Sequence, residues 1–260
     1  MNHRAATDDA ATLRRELAAR YGLAVAERLP AGQPLLLPVH DLLDPLRCQA
    51  LLDRLGPLLG SRSRAITASL LSKRLAFLAT GCSLHALSVF DQALDIGLDN
   101  CWIDCRHDGQ RWRSRLLLQH WRLQPAPAAG AASRQAWREA TVTALFRGHL
   151  QPLWQALSLS SGLAARIFWE NTAVRVFSLY ENRLNAVAEP QAAARIAHDW
   201  HYLREQAPAA VFGVDHNPVR LFDRHRQGAG GRRKTCCLYY LTTQPAVYCK
   251  TCPLPGACPG

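Results

Sequence analysis

No apolar run in the sequence approaches the roughly 18 residues that a membrane-spanning helix needs; the best start, Leu35-Leu36-Leu37, is cut short by Pro38. Met1 to Arg20 mixes Arg, Asp and Glu with Ala and holds no continuous apolar stretch, so no signal peptide is expected. No segment repeats at a fixed period. Gly228-x-Gly230-Gly231 lacks the strand–turn–helix context of a dinucleotide fingerprint, and no nicotinamide or flavin site is read. Acidic residues are in deficit, 20 Asp+Glu against 31 Lys+Arg. The resulting +11 points to an anionic partner without choosing among nucleic acid, an acidic membrane face and a small anion. With 260 residues, 48% hydrophobic and 20% charged, the chain is too apolar for disorder and long enough for one or two domains. The expectation is a soluble, cytosolic, globular protein.

Periodicity predicts an α+β protein, predominantly helical, with a small β-hairpin or sheet and an irregular C-terminal segment. Helices are expected over Asp8–Glu27, Asp41–Leu59 and Arg64–Ala79, the last from the spacing of Leu70, Arg74, Phe77 and Leu78. Gly81 is expected to break that helix, with Ser83 capping a short one through Phe90. Alternation in Cys101–Cys105 and Arg111–Leu116 around Asp108-Gly109 predicts a hairpin with Arg and Trp on opposite faces. After a small-residue linker, Pro125–Gly130, helical texture resumes at Ser133. Phe146, Leu150, Leu153 and Leu157 form a stripe there, with a kink or restart at Pro152. A further helix opens after Ser160 or Ser161 with Leu163, Ile167, Val174 and Phe177 on one face, and another spans Pro190–Glu205. Past Pro208 periodicity fades. The expected division is 1–125, 126–230 and 231–260.

The nine cysteines are unevenly placed: Cys48, Cys82, Cys101 and Cys105 are scattered, and five fall in the last 25 residues. In a cytosolic protein such a cluster points to metal binding or redox chemistry rather than disulfides. Cys236-Cys237, eleven residues, then Cys249-Lys250-Thr251-Cys252-Pro253 puts four thiols within 17 residues. A C-x-x-C lets both sulfurs of a tight turn face one metal centre, and Pro after the last ligand is found in iron–sulfur runs. Neighbouring residues of an extended chain point in opposite directions, so the adjacent pair suits a dinuclear centre or a turn better than a lone zinc. A structural zinc site and a dithiol switch stay open on spacing alone.

Arg233-Lys234-Thr235-Cys236-Cys237-Leu238-Tyr239-Tyr240 with Cys249-x-x-Cys252-Pro253 resembles the C-terminal [2Fe-2S] segment of the FhuF-like ferric-siderophore reductases. Gly162 to Asn171, with Phe168-Trp169-Glu170-Asn171, is similar to that family's aromatic-Trp-x-Asn helix, and the resemblance covers about residues 130 to 255. It implies a cytoplasmic [2Fe-2S] oxidoreductase that reduces Fe(III) held by an imported siderophore, with Cys236, Cys237, Cys249 and Cys252 as cluster ligands. It implies a ferric siderophore and an external electron donor, protein or small reductant, as partners. Peripheral association with the inner membrane face is compatible with it, and no nucleic acid is expected. The family spacing is C-C-x10-C-x2-C, whereas eleven residues separate Cys237 from Cys249 here; one more loop residue adds little closure entropy. Cys258 is a further thiol on a Pro-rich tail.

Arg232, Arg233 and Lys234 beside the first ligands are candidate substrate contacts, since positive charge there favours a reduced cluster and attracts an anionic ferric complex. The competing reading is a solvated basic turn. His198 and His201 share a helix face as a metal pair would, yet without a third ligand they read as surface or capping residues. Asn171, on the stripe of Ile167 and Val174, is a half-buried amide that needs partners, anchoring the cysteine segment or tying two helices together. Cys48 and Cys82 read as core residues, and Cys101 and Cys105 share a hairpin face. The Arg/Trp stretch Arg111–Arg122 reads as an exposed edge with a packed Trp face, as a lining for an anionic or aromatic ligand, or as a contact for nucleic acid. Two other classes remain: a zinc-stabilised basic module for nucleic acid or another partner, and a general [2Fe-2S] electron carrier.

Overall fold

The computed structural model describes residues 3–26, 33, 35–109, 112–128, 130–223, 225 and 231–254. Helix accounts for 62% of it, with a small mixed sheet, so the chain is a predominantly helical α+β protein. In chain order the elements are α1 (His3–Tyr21), β1 (Ala24–Val25), β2 (Leu36–Pro38), α2 (Pro45–Leu58), α3 (Arg64–Phe90), β3 (Gln92–Leu94), β4 (Cys101–Asp104), β5 (Arg115–Leu118) and β6 (Leu123–Pro125). There follow α4 (Gly130–Thr143), α5 (Gln151–Ser161), α6 (Ala165–Ser178), α7 (Pro190–His201), α8 (Ala209–Phe212) and α9 (Pro218–Leu221). Among the described residues no helix is long and apolar enough to cross a membrane.

α3 is the axle of the fold. Ser63 caps its start, its hydroxyl accepting from the Ile66 N–H at 3.3 Å. It is buried on nearly every face against α1, α2, α5, α6 and α7. The expected break at Gly81 does not occur, and the helix continues unbroken to Phe90. A Cβ at Gly81 would lie 2.5 Å from Cδ1 of Tyr21, so this glycine admits a buried tyrosine against the helix. The Tyr21 hydroxyl is bonded to Nδ1 of His85 one turn further on, at 3.1 Å.

Other expectations also shift. The first helix ends at Tyr21, where Gly22 turns left-handed at φ 71°, and residue 27 lies outside the described residues. The hairpin pairs β4 with β5 antiparallel, Cys101 opposite Leu118 and Asp104 opposite Arg115, with an isolated bridge from His107 to Trp112 beyond it; Arg111 lies outside the described residues. The sheet runs β1-β5-β4-β2, and β3 pairs separately with β6. Pro152 sits in the first turn of α5, and the chain reaches it through a π-helical stretch, Ala144–Leu150. α7 runs into a second such stretch, Tyr202–Gln206, and two short helices follow Pro208. On α6 the buried set is Phe168 to Ala173 with Val176 and Phe177, while Ile167 and Val174 are only half-buried. The stripe is rotated because α6 packs against both α3 and α9. The apolar core is continuous from Leu13 to Phe222.

His149 is buried in this core. Its Nδ1 donates to the Ile96 carbonyl at 2.7 Å and its Nε2 has no partner, which fixes the neutral form. Burial depresses its pKa from 6.5 to about 4, the bond to Ile96 opposing the shift. Its contribution is complete above pH 6.5 and is lost as pH falls toward 4, because the unfolded chain takes up the proton first. Urea titrations should show stability dropping by roughly 3 kcal/mol over that window from this residue, and His149→Leu should remove that share of the pH dependence. Gly81→Ala should destabilise the native chain by about 2 kcal/mol through overpacking against Tyr21, read as a lower urea midpoint with unchanged slope.

Candidate metal centre

The cysteine segment, residues 231–254, forms no strand and only a short 3-10 turn, Tyr239–Thr242. Side chains of α6 and α3 hold it in place. The Glu170 carboxylate, 1% exposed, accepts from the Lys234 N–H at 2.7 Å, the Thr235 N–H at 2.8 Å and the Thr235 hydroxyl. Arg233 turns inward, its Nη2 3.7 Å from Glu170 and donating to Asn171 Oδ1 at 2.7 Å. The Asn171 amide nitrogen donates to Ser72 Oγ at 2.9 Å and to the Ser69 carbonyl at 3.2 Å. Ser69 Oγ in turn donates to the Cys237 carbonyl at 2.8 Å. Asn171 is therefore fully buried, and it both ties α6 to α3 and anchors the cysteine segment. Each polar atom in this layer finds a partner except Arg233 Nε.

The segment folds back on itself. The Arg233 N–H donates to the Thr251 carbonyl at 2.9 Å, and the Cys252 N–H to the Cys249 carbonyl at 3.0 Å, closing the C-x-x-C turn. Leu238 sits in the left-handed region at φ 59°, a strained conformation for a leucine. That turn lets the adjacent cysteines meet different partners: Cys237 lies beside Cys249, and Cys236 beside Cys252. Among the described residues no three His, Cys, Asp or Glu side chains converge as a single ion requires. Two facing thiol pairs match a dinuclear centre, in which each iron takes two cysteines.

The surroundings favour negative charge on Cys237, whereas burial raises Cys236. Lys73 Nζ lies 3.6 Å from Cys237 Sγ and 5.0 Å from the Tyr239 ring centroid. The Leu238 N–H donates to Cys236 Sγ at 3.4 Å, and the Tyr239 N–H lies close enough to the Cys237 thiol to lower its pKa. The Cys249 thiol, then Lys73, Tyr239 and Arg233, bring Cys237 down to about 5 against the opposing effect of burial. Cys249 is raised, first by its neighbour Cys237 and then by burial. Cys48, Cys82, Cys101 and Cys105 are buried, and burial is the first cause of a raised pKa in each; they are core thiols.

Of the basic run, Arg232 and Lys234 are exposed and Arg233 is buried in the network above. His198 and His201 are both exposed on α7, His198 Nδ1 lying 3.3 Å from Arg138 Nη1. Cys258 and Gly228 to Gly230 lie outside the described residues. Sequence reasoning missed Glu170, Ser69, Ser72 and Lys73. Lys73 had a signal: the chain has three lysines, and the other two, Lys234 and Lys250, flank the cysteines in sequence.

No curated protein matches the chain. A family profile described as ferric iron reductase FhuF-like transporter matches residues 69–229, and one described as FhuF 2Fe-2S C-terminal domain matches residues 233–254. The first begins at Ser69, which bonds Cys237, and the second at Arg233, which opens the docked segment. The paired thiols fit the cofactor that the second match names. With more than half its length matched and a donor set suited to a [2Fe-2S] cluster, the chain belongs to the family of FhuF-like ferric iron reductases.

Proposed function

We propose that the protein is a cytosolic ferric-siderophore reductase whose cluster is held by Cys236, Cys237, Cys249 and Cys252. The observation that carries this is the pair of facing thiol contacts beside Lys73 in a chain of this family. Hydroxamate, catecholate and carboxylate oxygens are hard ligands that hold Fe(III) far more tightly than Fe(II). Adding one electron to the iron loosens the chelate without breaking a bond of the organic ligand. When bound, the [2Fe-2S] cluster supplies storage and release of single electrons.

The chain's own residues set the conditions for that transfer. Lys73 and the N–H groups of Leu238 and Tyr239 stabilise the extra negative charge on the sulfurs, which raises the reduction potential. Arg232 and Lys234, exposed next to the first cysteines, add positive potential around the site. Cys237 and Cys252 are buried, whereas Cys236 and Cys249 are partly open. On the same segment Tyr240 and Tyr248 stack at 5.4 Å, with Leu241 and Val247 exposed. That open side suits an external electron donor.

Anaerobically purified protein should be brown and hold about two irons and two acid-labile sulfides per chain. It should bleach with dithionite and recover its colour on adding a ferric siderophore, one Fe(II) being trapped by a ferrous-specific chelator per chain oxidised. Colourless protein with one zinc and no sulfide after reconstitution would overturn the reading in favour of a basic binding module. Cys237→Ser or Cys249→Ser should lose the iron and sulfide while the helical body keeps its circular dichroism, and Cys258→Ser should retain both. Lys73→Gln should bind the cluster but lower its potential by on the order of 50 mV, because one nearby charge, partly screened, is removed; a redox titration reads this directly.

A further inference from the structure

Several arginines of this protein are matched to carboxylates. Arg64 pairs with Asp53, Arg106 and Arg115 with Asp104, Arg134 with Asp91 and Asp199, and Arg204 with Asp223. One group without such partners is gathered at a single aromatic ring. The guanidinium carbons of Arg74, Arg175 and Arg183 lie 5.1, 5.8 and 5.1 Å from the centroid of the single Phe77 ring. Lys73 is the next residue along α3 and its carbonyl accepts from Arg175 Nε at 3.3 Å. None of these four cations has a carboxylate partner among the described residues. Arg74 donates to the hydroxyl and carbonyl of Ser114, both at 2.6 Å, and these neutral groups do not offset its charge.

Burial and mutual repulsion act on the same residues. Arg175 is lowered first by burial and then by Arg183, Arg74 and Arg233, and Arg74 is lowered by burial. Proximity to Phe77 holds the three guanidinium groups together and leaves their net charge unneutralised. Unmatched like charges held together around one ring are unfavourable unless a negative group completes them.

These cations line two adjoining clefts. The first, about 550 Å³, is bordered by Lys73, Arg74, Arg175, Trp112 and Tyr239. The second, about 720 Å³, shares Arg74 and His107 with it and includes Phe77 and Arg183. Both are of the size that takes a small ligand. Among the described residues the only acid lining either is Asp108, which is bonded to Arg113. Tyr239 follows Cys237 by two residues, and Lys73 touches both, so an occupant of the first cleft sits one side chain from a cluster sulfur.

We propose that these two adjoining clefts together are the binding site for a ferric chelate of net negative charge, and that they make the protein selective for tris-catecholate and hydroxycarboxylate complexes over neutral or cationic hydroxamate ones. The inference rests on the reductase reading and adds to it where the chelate docks and which chelates are taken. Arg74, Arg175 and Arg183 supply the charge, and Trp112 and Tyr239 supply aromatic walls for catechol rings. The basic run at Arg232 and Lys234 is then a secondary contribution, since those side chains are exposed beside the segment.

The test uses gallium(III) complexes, which match the ferric ones in charge and shape but accept no electron. Holoprotein is titrated calorimetrically with gallium tris-catecholate, carrying three negative charges, and with a neutral gallium trihydroxamate. The anionic complex should bind at least tenfold more tightly at low salt, with the gap narrowing as ionic strength rises. Arg183→Gln, at an exposed position, should weaken the anionic complex about tenfold and leave the trihydroxamate unchanged. Arg175→Gln should do the same, and Arg175→Lys should recover most of the loss. Equal affinity for the two complexes, or unaltered tris-catecholate binding in both arginine variants, would overturn the proposal. Reoxidation of the dithionite-reduced protein by the ferric forms separates the two readings. If every ferric chelate reoxidises it at one rate, the selectivity fails and the reductase stands. If none does while gallium tris-catecholate still binds through the arginines, the reductase reading fails and the anion site stands.

Discussion

The buried carboxylate of Glu170 is the constraint on which the rest of the site depends. A lone carboxylate at this depth is very costly, and here it is answered by two backbone N–H groups, a hydroxyl and the Arg233 guanidinium. All four donors belong to residues 233–235, so Glu170 is satisfied only when the start of the cysteine segment is docked. Asn171, the next residue, carries the constraint across to α3 through Ser69 and Ser72. Ser69 returns it to the segment at Cys237. The thiols are thus placed by a closed circuit of polar contacts, and a segment with almost no regular structure gains a fixed position from two helices.

Legibility in the sequence followed the range of the interactions. The cysteine motif could be read because its geometry is local: two adjacent residues, a loop and a C-x-x-C. The helical texture of α2, α5 and α7 was legible for the same reason. Gly81 was misread because its role is set by Tyr21, sixty positions away in the chain, whose ring takes the space a side chain would fill. The face of α6 was misplaced because burial on several sides removes the amphipathic signal. Asn171 announced that it needed partners, but nothing in the sequence said that Ser69 and Ser72 would supply them. Glu170 gave less warning, since an acid in a helix ordinarily faces water.

The arginine group shows the limit most plainly. Arg74, Arg175 and Arg183 are three among many arginines in a basic chain, and no spacing rule links them. They meet because α3 and α6 cross beside Phe77 and because the π-helical stretch Leu179–Arg183 extends α6 past its last α-helical turn. The basic run before Cys236 was the conspicuous feature of the sequence, yet its middle residue, Arg233, is consumed in holding the segment. Positive charge that is visible as a run and positive charge that is free to bind are different things in this protein.

The docking of the cysteine segment also bears on the order in which the protein is made. Synthesis runs from the N-terminus, and domains tend to fold as their residues emerge. The apolar core closes by Phe222, and Ser69, Ser72, Glu170 and Asn171 all precede it in the chain. When Arg233 and the cysteines leave the ribosome, the surface that receives them is therefore already in place. The thiols arrive after that body, at a cradle already formed, where a cluster can be delivered without the core having to open.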